Sequence, residues 1–101
     1  MARGPREKPG RLAEKLRAVR EGLGLSQTEM LKRLGAEGRM DYYRISEFES
    51  GKGEPSLIIL LEYARAAGLC VDALIDDEMD LPEKLPAKPT HNEVRTRRRG
   101  R

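Results

Sequence analysis

The apolar residues of this chain recur at the spacing of α-helices, and glycines separate one run from the next. In the first run, apolar side chains stand at positions 12, 16, 19 and 23, which share one face of a helix. No stretch alternates polar and apolar residues with a period of two, the pattern of a half-buried strand. The spacing therefore predicts an all-α fold of five short helices.

Capping residues place the predicted helix boundaries. Ser26 and Glu29 fit a capping box, in which the serine oxygen accepts one unpaired amide and the glutamate reaches back to another. Asp41 is expected to cap the third helix, because its carboxylate would face the positive end of the helix dipole. The helices are expected at 10–22, 26–34, 41–50, 55–67 and around Asp72. The inward apolar residues are expected to be Leu12, Leu16, Val19, Leu23, Met30, Leu31, Leu34, Ile45, Phe48, Leu57, Leu60, Leu61, Ala64, Val71, Leu74 and Ile75.

Charge divides the chain into a neutral middle and basic ends. Residues 11–75 carry ten basic and ten acidic side chains, so the net charge of +3 arises outside them. Five arginines lie within residues 94–101, and an acidic patch occupies residues 76–80. We expect a basic disordered arm at 1–9, a folded domain at 10–77 and a disordered tail at 78–101. The basic ends favour a polyanionic partner, whereas the acidic patch is expected to be solvated or to fold back on them.

Several classes of protein do not fit the sequence. It has no apolar run long enough to cross a membrane and no secretory signal. The single cysteine, Cys70, cannot form an internal disulfide, which favours a reducing cytoplasm, and it is expected to be a small core residue. His91 has no second ligand nearby, and no catalytic pair is present. We therefore expect no metal, no cofactor, no small-molecule effector and no enzymatic activity.

The order of the second and third helices indicates a helix-turn-helix unit. The second helix is short and capped, a turn follows, and the third helix has two inward apolar residues, Ile45 and Phe48. Its outer face carries polar-tipped side chains that can donate or accept hydrogen bonds, namely Tyr42, Tyr43, Arg44, Ser46 and Glu47. Such a face suits the major groove of DNA.

Two segments carry a resemblance to a known family. "LRAVREGLGLSQTEMLKRLG" and "ISEFESGKGEPSLIILLEYARAAGLCVDALI" resemble the Cro/repressor-type helix-turn-helix proteins, also called the xenobiotic-response-element family. The matching positions are Arg20, Ser26, Gln27, Ile45, Glu49, Ser50, Gly51, Pro55, Gly68, Asp72 and Leu74. The resemblance implies a lambda-repressor-like domain and a bacterial or phage transcriptional regulator, acting in the cytoplasm at the nucleoid. It also implies a homodimer on double-stranded DNA.

The resemblance assigns roles position by position. It implies that Gln27 holds a DNA phosphate and that Tyr42, Tyr43 and Glu47 reach base edges. The remaining DNA-binding candidates are Thr28, Arg39, Arg44 and Lys52. Arg20 and Glu49 would form a structural ion pair between the first and third helices. Two alternatives stay open, since the tyrosines could instead cover the second helix and Glu47 could be a solvated charge.

The chain departs from the family pattern at two places. Leu31 stands where the family usually has alanine, and the turn before the third helix is enlarged by four residues, 36–39. We expect Gly38 to take a positive φ, so that the extra residues loop outward and leave room beside Leu31.

Ile58 and Ile59 could be additional core or a dimer seam. The rival to a DNA-reading regulator is a protein-binding module, antitoxin-like or adaptor, that kept the fold and lost DNA contact.

Overall fold

The computed structural model describes residues 8–86 of the 101-residue chain. The helices are α1 (Leu12–Leu23), α2 (Gln27–Arg33), α3 (Tyr43–Ser50), α4 (Leu57–Ala67) and α5 (Val71–Ile75). No strand occurs within the described range, and the predicted all-α fold of five short helices is confirmed. Predictions for residues 1–7 and 87–101 lie outside the described part. None of the five helices is long and apolar enough to span a membrane.

Local capping chemistry sets the start of α2 as predicted. The Ser26 hydroxyl accepts the amide of Glu29 at 3.1 Å, and the Glu29 carboxylate accepts the amide of Ser26 at 2.8 Å. Hydrogen bonding to Ser26 lowers the pKa of the Glu29 carboxyl. The predicted cap at Asp41 is wrong: α3 begins at Tyr43, and no side chain caps it. Tyr42 already has helical dihedral angles, so backbone bonds wind this first turn without a carboxylate.

The core is formed by one face of each helix. The buried apolar residues are Leu12, Leu16, Val19, Met30, Leu31, Leu34, Ala36, Ile45, Phe48, Ile59, Leu60, Tyr63, Ala64, Ala66, Ala67 and Leu74. Ala73 is buried as well.

Three residues predicted to be buried are exposed. Leu57, the first residue of α4, is 82% exposed. The inward face of α4 begins with Ile59 and Leu60, and Leu57 lies outside that face. Ile75, the last residue of α5, is also exposed. Cys70 takes the extended position before α5 and points to solvent, so the prediction of a core cysteine is wrong.

The enlarged turn between α2 and α3 is compact. Gly35 and Gly38 take φ values of +71° and +82°, which confirms the positive φ expected at Gly38. The carbonyl of Ala36 accepts the amides of Arg39 and Met40 at 3.0 and 3.2 Å. The expectation that residues 36–39 loop outward is wrong for Ala36, whose side chain is buried in the core. Burying this methyl group fills space beside α2 that a purely solvated loop would leave empty.

The packed part of the chain continues past α5. Residues 76–85, which we call the C-terminal strap, lie against α1, and Leu81 and Leu85 pack on the core. The sequence predicted disorder from residue 78, whereas the structure packs Leu81 and Leu85 against the core. The acidic patch at its start contacts the beginning of α1, where Asp77 accepts the amides of Gly10 and Arg11.

Candidate nucleic-acid interface

Helix α3 has one buried face and one open face. Ile45 and Phe48 are buried and fix the helix on the core. Tyr42 and Tyr43 are 56% and 51% exposed, and Ser46 and Ser50 are exposed as well. Positions 43, 46 and 50 repeat at helical spacing, so these side chains form one row along the helix. We call Tyr42, Tyr43, Ser46 and Ser50 the exposed row.

A partly buried ion pair fixes α3 against α1. Arg20 donates from Nε and Nη2 to the two carboxylate oxygens of Glu49 at 2.6 and 2.9 Å. The Arg20 side chain is 15% exposed and that of Glu49 is 6% exposed. Arg20 also donates to the carbonyl of Leu25 at 3.0 Å, which ties the start of α2 into the same network. The hydrogen bond to Glu49 raises the pKa of the Arg20 guanidinium, so this arginine stays charged.

Gln27 joins this network from α2. Its side-chain amide donates to Glu49 Oε1 at 3.4 Å. Gln27 lies in the wall of an open cleft of about 270 Å³ between α1, α2 and α3. The cleft is lined by Arg17, Arg20, Gln27, Ser46, Glu49 and Ser50. The structure therefore brings the predicted phosphate ligand beside two serines of the exposed row.

Sequence reasoning missed two cleft residues, Arg17 and Ser50. Arg17 stands three positions before Arg20 and thus shares its helix face, a spacing that could have revealed it. Ser50 stands four positions after Ser46 on α3, which is again a readable signal. Arg17 also pairs with Glu21 at 2.9 Å on the exposed surface of α1.

Arg44 and Glu47 contact each other on α3. Arg44 Nη1 donates to Glu47 Oε1 at 2.5 Å, and its guanidinium carbon lies 5.3 Å from the centre of the Phe48 ring. Both side chains flank the turn after α3, close to Gly53. Arg44 thus has two intramolecular partners, and Glu47 Oε1 is already occupied.

The remaining predicted site residues lie at the edges of the helix-turn-helix unit. Thr28 is exposed in the first turn of α2, and Lys52 is exposed in the turn after α3. Arg39 is exposed in the enlarged turn, where its guanidinium donates to the carbonyl of Gly35 at 3.2 Å. Among residues 8–86, no group of three or more histidine, cysteine, aspartate or glutamate side chains is placed to hold a metal ion.

Solved structures similar to this chain include the following two. The P22 c2 repressor, in a crystal structure with the synthetic operator 9T in the presence of Tl⁺, is 27% identical with a TM-score of 0.57, and the match covers 65% of this chain and 94% of the repressor. A hypothetical transcription factor from Neisseria, NHTF, is 26% identical with a TM-score of 0.54, and the match covers 70% of this chain and 84% of that one. A search of curated protein sequences gives no match.

A family profile described as helix-turn-helix matches residues 16–70, which is more than half of the chain. This range runs from the middle of α1 through α4 and contains the cleft and the exposed row. The fold is that of lambda-repressor-like helix-turn-helix proteins. The chain belongs to the helix-turn-helix family of Cro/repressor-type, DNA-binding regulators.

Proposed function

We propose that this protein is a sequence-specific transcriptional regulator that reads the major groove of double-stranded DNA with α3. The exposed row carries the proposal, because it presents four hydrogen-bonding side chains on the face opposite Ile45 and Phe48. An α-helix fits the major groove, where each base pair shows a distinct set of donors and acceptors. The similar P22 c2 repressor, crystallised with a synthetic operator, supports the same class of ligand.

In this proposal Gln27 binds a backbone phosphate. Its amide nitrogen has two hydrogens, and the contact with Glu49 uses one of them. The second hydrogen is available for a phosphate oxygen. Because Arg20 holds Glu49, which in turn holds Gln27, the network fixes the phosphate ligand relative to α3. Phosphate contacts of this kind set the position of the reading helix without specifying a sequence.

Tyr43 and Glu47 are proposed as base-reading residues. The Tyr43 hydroxyl can donate and accept, and its side chain is half exposed. Glu47 Oε1 is held by Arg44, so Oε2 is the atom that can accept from an amino group of cytosine or adenine. Tyr42 is proposed to lie at the same edge of the groove, and Thr28, Arg39 and Lys52 are proposed as contacts to the DNA backbone.

We also propose that the protein binds as a homodimer through the start of α4. Leu57 and Ile58 are adjacent and 82% and 59% exposed, which is unusual for large apolar side chains unless another surface covers them. A dimer would present two copies of α3 about 34–36 Å apart, one turn of DNA. Ile58→Asp should shift the protein toward monomer in analytical ultracentrifugation, whereas the exposed substitution Glu78→Ala should not.

The second candidate is a protein-binding module without sequence-specific DNA contact. The equal numbers of basic and acidic residues in 11–75 favour it, as do the exposed Leu57 and Ile58. For the DNA-reading regulator, we propose action at the nucleoid of a bacterial cytoplasm. We propose that it works without a small-molecule effector. An adaptor would retain its protein partner after the exposed row is altered, which separates the two candidates.

Selection of bound fragments from a random duplex library tests the proposal. The expected result is one enriched motif, with gel retardation of that motif at low salt. Tyr43→Ala and Glu47→Ala should each relax preference at particular positions by about 1–3 kcal/mol, whereas Gln27→Ala should weaken all sequences alike. Glu78→Ala is the matched control and should bind as wild type does. If Tyr43→Ala and Glu47→Ala both leave the selected motif unchanged, α3 is not the reading helix.

A further inference from the structure

The cleft between α1, α2 and α3 has walls of polar side chains. They are Arg17 and Arg20 from α1, Gln27 from α2, and Ser46, Glu49 and Ser50 from α3. No apolar side chain belongs to this lining, as far as the structure describes the chain, so the cleft does not suit an apolar ligand. An open cleft whose walls carry N–H and O–H groups suits an anion that keeps part of its hydration.

The net charge of this described lining comes from Arg17. Arg20 and Glu49 bind each other through two hydrogen bonds, at 2.6 and 2.9 Å, so their charges cancel. Arg17 is the remaining charged side chain of the lining, and it is 62% exposed. An anion that enters the cleft therefore meets the solvent-exposed positive charge of Arg17, which the ion pair beside it does not neutralise.

Three lining residues keep hydrogen-bond donors that are not used within the described part of the chain. Arg17 donates from Nε to Glu21 at 2.9 Å, and its two Nη nitrogens have no partner there. Gln27 uses one amide hydrogen on Glu49, and the second remains. The Ser46 hydroxyl makes no hydrogen bond within the same part. One phosphate group has several acceptor oxygens, so donors from α1, α2 and α3 can share it.

Glu21 holds Arg17 from outside the cleft. The two side chains stand four positions apart on α1, they are 62% and 54% exposed, and Glu21 does not belong to the lining. The hydrogen bond to Glu49 is the main cause of the raised pKa of Arg20, and the negative charge of Glu21 adds to the same rise. Glu21 therefore acts electrostatically on the cleft. A carboxylate in this place both occupies Arg17 and repels an entering anion.

We propose that the cleft binds one DNA backbone phosphate between Arg17 and Gln27, and that the Glu21 carboxylate competes with this phosphate for Arg17. The inference rests on the proposed function, since it describes the phosphate site to which Gln27 belongs. Arginine can bind phosphate through two parallel hydrogen bonds, whereas the exposed Glu21 holds Arg17 through one. Every DNA sequence presents phosphates, so the competition lowers affinity for all sequences alike, and base preference stays with α3.

The salt dependence of DNA binding tests the role of Arg17. Fluorescence anisotropy measures affinity for the selected motif and for an unrelated duplex, over about 50–200 mM salt. Arg17→Gln should lower the slope of log K against log salt by about 0.9 per protomer, and weaken binding about eightfold per protomer at about 0.1 M salt. Both duplexes should lose affinity equally. Arg65→Gln is the matched control, because Arg65 pairs with Glu62 on the exposed surface of α4 and is not part of the lining.

Paired substitutions test the competition. Glu21→Gln should strengthen binding to both duplexes by up to about fivefold per protomer, the range that corresponds to an exposed ion pair. In an Arg17→Gln background the same substitution should have little effect, because the cation for which the carboxylate competes is gone. Glu62→Gln makes the same change in net charge outside the lining and is the control. Arg17 and Glu21 are more than half exposed, so their variants should melt as wild type does.

Neutral methylphosphonates locate the phosphate. They replace the charged phosphates of the selected motif one at a time, and binding by wild type should weaken at one position in each half-site. Arg17→Gln should lose the sensitivity at that position, because the charge that responds to it is absent. Gln27→Ala should reduce the sensitivity at the same position, since both side chains are proposed to share one phosphate.

The outcomes separate this inference from the proposed function. An unchanged salt slope in Arg17→Gln, with the motif still selected, would overturn the inference and leave the proposed function standing. So would an equal gain from Glu21→Gln with and without Arg17, or changes at different phosphates in Arg17→Gln and Gln27→Ala. A wild-type protein that selects no motif even at low salt would overturn both. The supporting result is a reduced slope in Arg17→Gln together with a gain from Glu21→Gln that requires Arg17.

Discussion

Replacing Glu49 with alanine should strongly destabilise the domain. The carboxylate is 6% exposed, and it accepts two hydrogen bonds from Arg20 and one from Gln27. Removing one partner of a buried ion pair costs about 3–5 kcal/mol, because the other charge stays buried and unpaired. Arg20 keeps the Leu25 carbonyl and is 15% exposed, so water partly solvates it. We therefore expect a loss near the lower limit, about 3 kcal/mol.

Urea denaturation followed by circular dichroism at 222 nm measures this loss. For a domain of this size, about 3 kcal/mol corresponds to a fall of about 12–24 °C in melting temperature. Glu62→Ala is the matched control, since Glu62 pairs with Arg65 on the exposed surface of α4 at 3.2 Å. It should cost less than about 0.5 kcal/mol.

The double variant Arg20→Met with Glu49→Met provides a further check. It removes both charges together and should lose less stability than Glu49→Ala alone, because no uncompensated charge remains. If Glu49→Ala costs less than about 0.5 kcal/mol, or no more than Glu62→Ala, the pair does not hold α1 to α3 and the reasoning is refuted.

One deletion and three other substitutions test the tertiary contacts. Deleting residues 36–39 should lower the free energy of unfolding by about 1–3 kcal/mol, because it removes the buried Ala36, and a deletion variant with an unchanged urea midpoint would contradict this. Lys15→Met should cost about 2–4 kcal/mol and increase hydrogen exchange in the strap, since three carbonyls lose their donor. Hydrogen bonds from the backbone amides of Gly10 and Arg11 lower the pKa of Asp77. The Asp77 carboxylate therefore stabilises the fold above the ordinary aspartate pKa of about 3.9, and this stabilisation is lost as the pH falls through the lowered pKa. The difference in unfolding free energy between wild type and Asp77→Asn should vanish below that lowered pKa. The buried Tyr63 hydroxyl has no hydrogen-bond partner among the described residues and burial raises its pKa, so Tyr63→Phe should leave thermal stability unchanged or raise it by up to about 1 kcal/mol.

Features of the sequence that act over a few residues predicted the local structure well. The apolar spacing of α1, the capping box at Ser26 and the glycines that end α1, α3 and α4 depend only on neighbours within about one helical turn. Their order along the chain was enough to indicate a helix-turn-helix protein and its family. The same kind of local reasoning failed at Asp41, because backbone bonds alone wind the first turn of α3.

The candidate site was predictable in part. Helical spacing on α3 placed Tyr42, Tyr43 and Ser46 on an open face, and the structure does the same. The cleft, however, combines side chains from three helices, so its membership depends on how those helices cross. The pair of Arg44 and Glu47, in contrast, stands at the i, i+3 spacing at which side chains of one helix meet, so the sequence could have indicated it.

Only the tertiary structure decided where the turn and the C-terminal strap lie. Ala36 belongs to a turn that was expected to loop outward, yet it is buried in the core. Lys15 reads as a surface charge in the sequence, but its partners stand 58, 61 and 64 positions away. The acidic patch contacts the start of α1, and Leu81 and Leu85 pack on the core, through contacts that are likewise distant in sequence. The sequence by itself predicted which segments are helical, since apolar spacing and caps act over about one turn, whereas contacts between distant residues exist only once the chain has closed around its core.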